Sequence, residues 1–228
     1  MASRWDGVCW RLGRDGATSR TEKPLNWNVH LRRCFCLSAV LVFLAAWSGA
    51  AVAQQVQVTL DPAQTRINIS VHDVHGGVHG SFPMKSGAVR FDPSTGAASG
   101  KIIVDAAGGE TGNGSRDRKM KKDVLETQRY PEISFTPQRV IGQLAPQGTS
   151  KVQVEGIFSI HGADHNLTLT VPVEVSGDKI TGTTGFEVPY EAWGMKNPSV
   201  LFLHVDGTAE VTVSFGGKIA LSSTAGAH

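Results

Sequence analysis

The sequence predicts an all-β domain of antiparallel strands, closed as a barrel or stacked as a sandwich. Three observations carry that class. Apolar and polar residues alternate along most of the chain from residue 54 onward, turn-forming clusters separate the alternating runs, and no segment has the spacing of a parallel strand-helix-strand unit.

The chain ahead of the strands reads as a leader. Residues 37–47, LSAVLVFLAAW, form an uninterrupted apolar run preceded by Arg32 and Arg33 and followed by Ala51-Val52-Ala53. A basic segment, an apolar segment of about 7–15 residues and small residues before the cut is the order of a secretory signal. Cleavage is expected after Ala53, which makes residues 1–53 an N-terminal extension plus signal peptide and directs the product to the periplasm or outside the cell. Residues 1–28 are polar, carry Trp5, Trp10 and Trp27 and show no fold pattern, so Val29 is a second candidate for the translation start. Cys9, Cys34 and Cys36 all precede the cut, so the processed chain has no thiol for a disulfide or a lipid anchor.

Charge supports the same division. The whole chain has formal charge +2, yet from Gln54 onward there are 15 basic and 17 acidic residues, a net of −2. The processed domain therefore gives no electrostatic case for nucleic acid. Its roughly 175 residues suit one domain, expected over residues 54–216, with 217–228 as a flexible tail.

The strands follow in order. In TRINISVH, Ile67, Ile69 and Val71 point one way and Arg66, Asn68, Ser70 and His72 the other. Alternation recurs over residues 88–91, 101–104, 132–135 and 151–154, then through Phe158 and Ile160, and through Leu167, Leu169 and Val171. It continues through Phe186 and Val188, through Leu201, Leu203 and Val205, and through Val211, Val213 and Phe215. Turn signals lie at Asp92-Pro93-Ser94-Thr95-Gly96, His161-Gly162-Ala163-Asp164, Ser176-Gly177-Asp178 and Asp206-Gly207. Residues 115–125 alone break the pattern: they predict about two helical turns, N-capped by Asn113 or Ser115, with Met120, Val124 and Leu125 as a narrow apolar stripe.

Four segments, in this order and spacing, resemble the YceI-like family of lipocalin-like periplasmic proteins. They are LDPAQTRINISVHDVHGGVHGSF, with His72 at the family's histidine position; ETGNGSRDRKMKKDVLETQRYPEISF, an Arg-Asp loop, basic helical turn and Tyr-Pro corner; VEGIFSIHGADHNLTLTVPV, a hairpin; and VPYEAWGM. The resemblance spans nearly all of the chain from Val56 to Phe215. It implies an eight-stranded antiparallel lipocalin-like barrel with a short helix-bearing loop, whose apolar cavity binds an isoprenoid-type lipid, a quinone or polyprenyl species, with no cofactor and no catalytic group. In the last segment Tyr190 and Ala192 stand where the family has Arg and Asp, so no head-group contact carries over there.

The inward positions Ile69, Val71, Phe91, Ile102, Phe135, Phe158, Leu169, Phe186 and Leu203 fit a packed core as well as a cavity, because periodicity is the same for both; the resemblance makes them lining residues. Trp193 is expected at a rim. Arg116 is a candidate head-group contact, since a guanidinium pairs well with phosphate or quinone oxygens, and Arg116 and Asp117 serve equally as loop anchors. The cluster of Lys119, Lys121 and Lys122 reads as a solvated face, with transient contact to a membrane surface as the alternative. A homodimer and a monomer both remain open.

Other classes fit less well. His72, His75, His79, His161 and His165 invite a metal reading, but they fall in separate strands and turns. Hydrolase chemistry lacks its parts: Gly156-Ile157-Phe158-Ser159 is no nucleophile elbow and no carboxylate pair stands out. An outer-membrane barrel needs aromatic girdles, which two tyrosines and one tryptophan after residue 53 do not supply. A secreted β-sandwich with a packed interior is the remaining alternative.

Overall fold

The computed structural model describes residues 54–72, 76–198 and 206–223. The expected leader, His75, the strand expected around Leu201, Leu203 and Val205, and the last five residues lie outside the described residues.

Among the described residues ten strands form one sheet: β1 Gln54–Leu60, β2 Arg66–Val71, β3 Val78–Phe82, β4 Met84–Phe91, β5 Ala98–Asp105, β6 Glu132–Ile141, β7 Gly148–Ile160, β8 Ala163–Ser176, β9 Lys179–Val188 and β10 Ala209–Ser223. These make eight staves. β1 and β2 both run antiparallel to β10, with Val58 opposite Ile219 and Ile67 opposite Val213, so they are two halves of one stave interrupted at residues 61–65. β3 and β4 are likewise two halves of the next, interrupted at Pro83. Each later stave pairs with its predecessor, and β10 returns to β1, so the sheet closes. This is the predicted eight-stranded antiparallel barrel. A single closed sheet rules out the sandwich, and closure leaves no long edge for another chain to pair with.

The break in the first stave has a local cause. Asp61 caps a 3-10 turn at Pro62–Gln64, accepting from the Ala63 amide at 2.9 Å and from Gln64 Nε2 at 2.7 Å. Opposite it, Gly217 gives β10 room to pass, because a Cβ there would collide with the Thr59 carbonyl oxygen. The closure extends the last strand past its expected end. Residues 217–223 were expected in a flexible tail, but they pair with β1, and Ile219 packs on the core. The alternation of Val213 and Phe215 resumes beyond the two glycines, which mask it in the sequence.

The two-residue period is cleanest along β8. There Val171, Val173 and Val175 are buried while Pro172, Glu174 and Ser176 are exposed. Pro137 in β6, which has no amide to donate, is fully buried at a register shift between Pro137 and Arg139, where the ladder is already broken.

The predicted helical segment is there, in two parts. α1 spans Gly114–Lys119, with Asn113 as the N-cap accepting from the Ser115 and Arg116 amides, and a single π-helical turn follows at Met120–Val124. It lies in the connection between β5 and β6, at the barrel end that also carries the β7–β8 hairpin and the loop after β9. That end is called the helix end below.

Candidate functional site

The barrel encloses a cavity of about 630 Å³, inside the range of about 300–1,000 Å³ typical of small-molecule sites. It reaches from Val173 and Ile180, near the far end, to Arg116, Lys119 and Pro198 at the helix end. Eight of the predicted inward residues line it: Ile69, Val71, Phe91, Ile102, Phe135, Phe158, Leu169 and Phe186. Phe158 and Phe186 meet edge to face, with centroids 5.6 Å apart and planes at 73°, a favourable geometry for aromatic rings. The polar groups in the wall are mostly satisfied by the barrel itself; Thr184 Oγ1, for example, donates to the Thr170 carbonyl at 3.0 Å. Among the described residues the wall has no histidine, thiol or carboxylate, and its two charged residues are Arg116 and Lys119.

The mouth is built on Thr111. Arg116 donates from Nε to Thr111 Oγ1 at 2.8 Å and from its terminal amine to the Thr111 carbonyl at 2.7 Å. Asp117 Oδ1 accepts from the Thr111 amide at 2.8 Å and from the Thr111 hydroxyl at 2.5 Å. These bonds hold the Asp117 carboxyl below its ordinary value, the Thr111 hydroxyl contributing most. Arg116 and Asp117 therefore anchor the loop, and Arg116 also faces the cavity with guanidinium donors to spare. The π turn, closed by the Leu125 amide on the Met120 carbonyl, sets Met120, Val124 and Leu125 together on the cavity side.

Lys119 departs from the expected solvated face. Its Nζ crosses the mouth to donate to the Pro198 carbonyl at 2.9 Å. Tyr190, noted in the sequence only as a replacement for the family's Arg, also lines the cavity. Its hydroxyl donates to the Asp206 carbonyl at 2.5 Å, and burial pushes the phenol up to about 12. Lys119 was visible in outline, since it lies three residues after Arg116 on one helix face. Its acceptor, 79 residues away, was not.

Two predicted site residues do not line the cavity. Trp193 lies in the loop after β9 at the helix end, as expected of a rim residue, but it stacks on His165 and tilts against Phe158 at 6.0 Å and does not line the cavity. The His72 imidazole ends the outward row of Asn68 and Ser70 and is exposed, while its carbonyl accepts from the Asp206 amide at 3.0 Å. A strand's outward face cannot reach its lumen. Leu203 lies outside the described residues. Among the described residues no group of three or more His, Cys, Asp or Glu is placed to hold a metal ion.

A corner pins the mouth to the barrel. The Tyr130 ring meets His161 at 4.9 Å, and His161 Nε2 lies 3.5 Å from Glu126 Oε1. Glu126 and His161 both hold left-handed backbone conformations, at φ 47° and 51°. Such conformations persist in non-glycine residues only where the surroundings enforce them.

With this geometry the comparison with known proteins is direct. The sequence model of the YceI-like domain matches residues 58–219, the whole barrel but for the outer ends of β1 and β10. The chain belongs to the YceI-like family. Among curated proteins no sequence matches. Solved structures agree in fold. BcnA of Burkholderia cenocepacia superposes with a TM-score of 0.57 at 18% identity, covering 69% of this chain and 98% of its own. A polyisoprenoid-binding domain from Saccharophagus degradans, implicated in plant cell wall breakdown, gives 0.59 at 15% identity, covering 74% and 99%. In this YceI-like chain the residue for residue likeness is low, and the shared feature is the barrel.

Proposed function

We propose that this YceI-like protein is an exported carrier that sequesters an isoprenoid-type lipid, a quinone or polyprenyl species, in its barrel cavity. The observation that carries the reading is the cavity: closed around its circumference, apolar along most of its length, and charged at the helix end alone. An isoprenoid matches that distribution, with its tail along the barrel and its head at Arg116, Lys119 and Tyr190. The family and the polyisoprenoid-binding activity of the similar Saccharophagus domain support the same class of ligand.

The energetics are adequate without any covalent step. Burying about 400 Å² of ligand apolar surface at roughly 25 cal/mol/Å² contributes ~10 kcal/mol before association costs. Among the described residues the wall offers no nucleophile-base pair, and the reading is of binding, not catalysis. The leader expected at residues 1–53 supports export to the periplasm or outside the cell.

Native mass spectrometry of protein purified from its own host, followed by organic extraction, tests this. The expected result is a stoichiometric adduct that extracts as a quinone or polyprenyl lipid. Protein at its bare sequence mass that takes up no added isoprenoid would overturn it.

A further inference from the structure

Gly182, Gly156 and Gly87 sit on the inward face of the barrel. Gly182 is opposite Val173 and Phe215, Gly156 is opposite Leu167, and Gly87 is opposite Leu60, and each of those partners lines the cavity. Directly opposed residues share one face of a sheet, so a Cβ on any of these glycines would point toward the lumen. None of the three lines the cavity, because a bulky neighbour covers it. A Cβ at Gly182 would lie 2.6 Å from Phe215 Cζ, one at Gly156 2.7 Å from Phe135 Cζ, and one at Gly87 3.0 Å from Leu60 Cδ1. Carbon atoms in contact stand about 3.5–4.0 Å apart. The two rings and the leucine therefore lie along the wall in space that only glycine leaves, and a side chain beneath Phe215 or Phe135 would turn the ring into the lumen.

We propose, resting on the carrier reading for the cargo, that Gly182 is a specificity-determining residue: by letting Phe215 lie flat it holds the deep end of the cavity open and so admits long prenyl tails. Its position singles it out. Val173, its partner, is ten residues along β8 from Ala163 at the helix end. That is roughly 33 Å of strand at about 3.3 Å per residue, which the tilt of barrel strands shortens to roughly 25 Å along the axis. The cavity continues past this level to Ile180. With its head at the mouth, a short tail ends before the Phe215 ring, and a long one must pass it. Gly156 lies nearer the mouth, and there the closest atom to a Cβ is the Thr136 carbonyl oxygen, at 2.5 Å, so a side chain strains the backbone before it moves the ring. At Gly182 the ring is closest.

Competition of farnesol and solanesol, a short and a long prenyl alcohol, against a fluorescent prenyl lipid tests the proposal. The ratio of their affinities is the readout, since a general loss of stability lowers both. Gly182→Ala should reduce the solanesol-to-farnesol affinity ratio by roughly tenfold or more, the size of effect that a small steric change in an apolar pocket produces. A Cβ at Gly182 also comes 2.7 Å from the Pro172 carbonyl oxygen, so the double variant Gly182→Ala, Phe215→Leu separates ring from backbone. Removing the ring should return the ratio to within about threefold of the wild-type value while the backbone contact stays. Phe215→Trp enlarges the ring, leaves Gly182 untouched and should lower the ratio as well, which keeps the test open if Gly182→Ala does not fold. An unchanged ratio in a folded Gly182→Ala or in Phe215→Trp would overturn the proposal, as would a double variant that stays as low as Gly182→Ala alone. Wild-type protein that takes farnesol and refuses solanesol also overturns it and leaves the carrier reading standing. Wild-type protein that binds neither alcohol nor the fluorescent lipid sinks the carrier reading, and the specificity role with it.

Discussion

Trp193 lies face to face on His165, with ring centroids 3.8 Å apart and planes within 9° of parallel. The pair packs beside Phe158, whose ring is 6.0 Å from the indole and lines the cavity. The two aromatic residues therefore differ in kind: Phe158 lines the cavity, and Trp193 packs against the residue that does.

Substitution should separate the two residues. Phe158→Asp places a carboxylate in an apolar wall, where a charge is costly to bury, and should abolish lipid retention. Trp193→Phe keeps an aromatic ring against Phe158 and should leave retention within about twofold. Lipid recovered by extraction from each variant, with circular dichroism to show a folded barrel, is the check. Full retention by a folded Phe158→Asp would remove that residue from the site.

The strands were legible because a two-residue period is a local signal. Val71, Phe135, Phe158 and Leu169 sit inward as their neighbours' polarity dictates, and the turn chemistry at residues 92–96 and 176–178 marks where the chain reverses. Whether those side chains meet or enclose a space was not legible, since both give the same alternation. His72 alternates with Ser70 correctly, and that parity puts its imidazole outside. The mouth needed contacts between distant segments: His165 with Trp193, Lys119 with Pro198, Tyr190 with Asp206. Nothing near each residue announces its partner.

Lys119 should act on exchange more than on stability. Its bond to the Pro198 carbonyl ties α1 to the loop after β9 across the opening. Hydrogen bonds to charged groups contribute about 1.5–3 kcal/mol when sheltered and less where water competes. Lys119→Met should therefore speed lipid release by about five- to tenfold, while the melting temperature moves little. Transfer of a fluorescent prenyl lipid to acceptor vesicles measures the rate; an unchanged rate would show that the bond does not gate the mouth.

The Thr111 clamp should make the mouth acid-sensitive. The Asp117 carboxyl is held below its ordinary value by the Thr111 hydrogen bonds. A depressed carboxyl stabilises the folded loop above the unfolded value, and that contribution is lost as pH falls through the folded one. Hydrogen exchange at the Thr111 amide should stay slow at neutral pH relative to the intrinsic rate, and its protection should fall in acid below about pH 4. Asp117→Asn should reduce protection at neutral pH and flatten the acid dependence. Unchanged protection in that variant would assign the loop's order to Arg116 instead.

Gly162 should be the costliest glycine at the helix end to replace. It turns the β7–β8 hairpin at φ 76°, a left-handed conformation that side chains disfavour. A Cβ there would also run into the Tyr130 ring, which is held between His161 and Arg129. The ring cannot retreat without giving up the corner that joins the mouth loop to β7. Gly162→Ala therefore combines backbone strain with a clash, and a loss of about 2–4 kcal/mol is expected. Thermal unfolding of Gly162→Ala beside Gly177→Ala measures it. Gly177 also has a left-handed backbone, at φ 64°, but nothing lies where its Cβ would point, so it should lose only the strain term of about 1 kcal/mol. Equal losses at the two positions would mean that Tyr130 yields freely and that the corner does not hold the mouth in place.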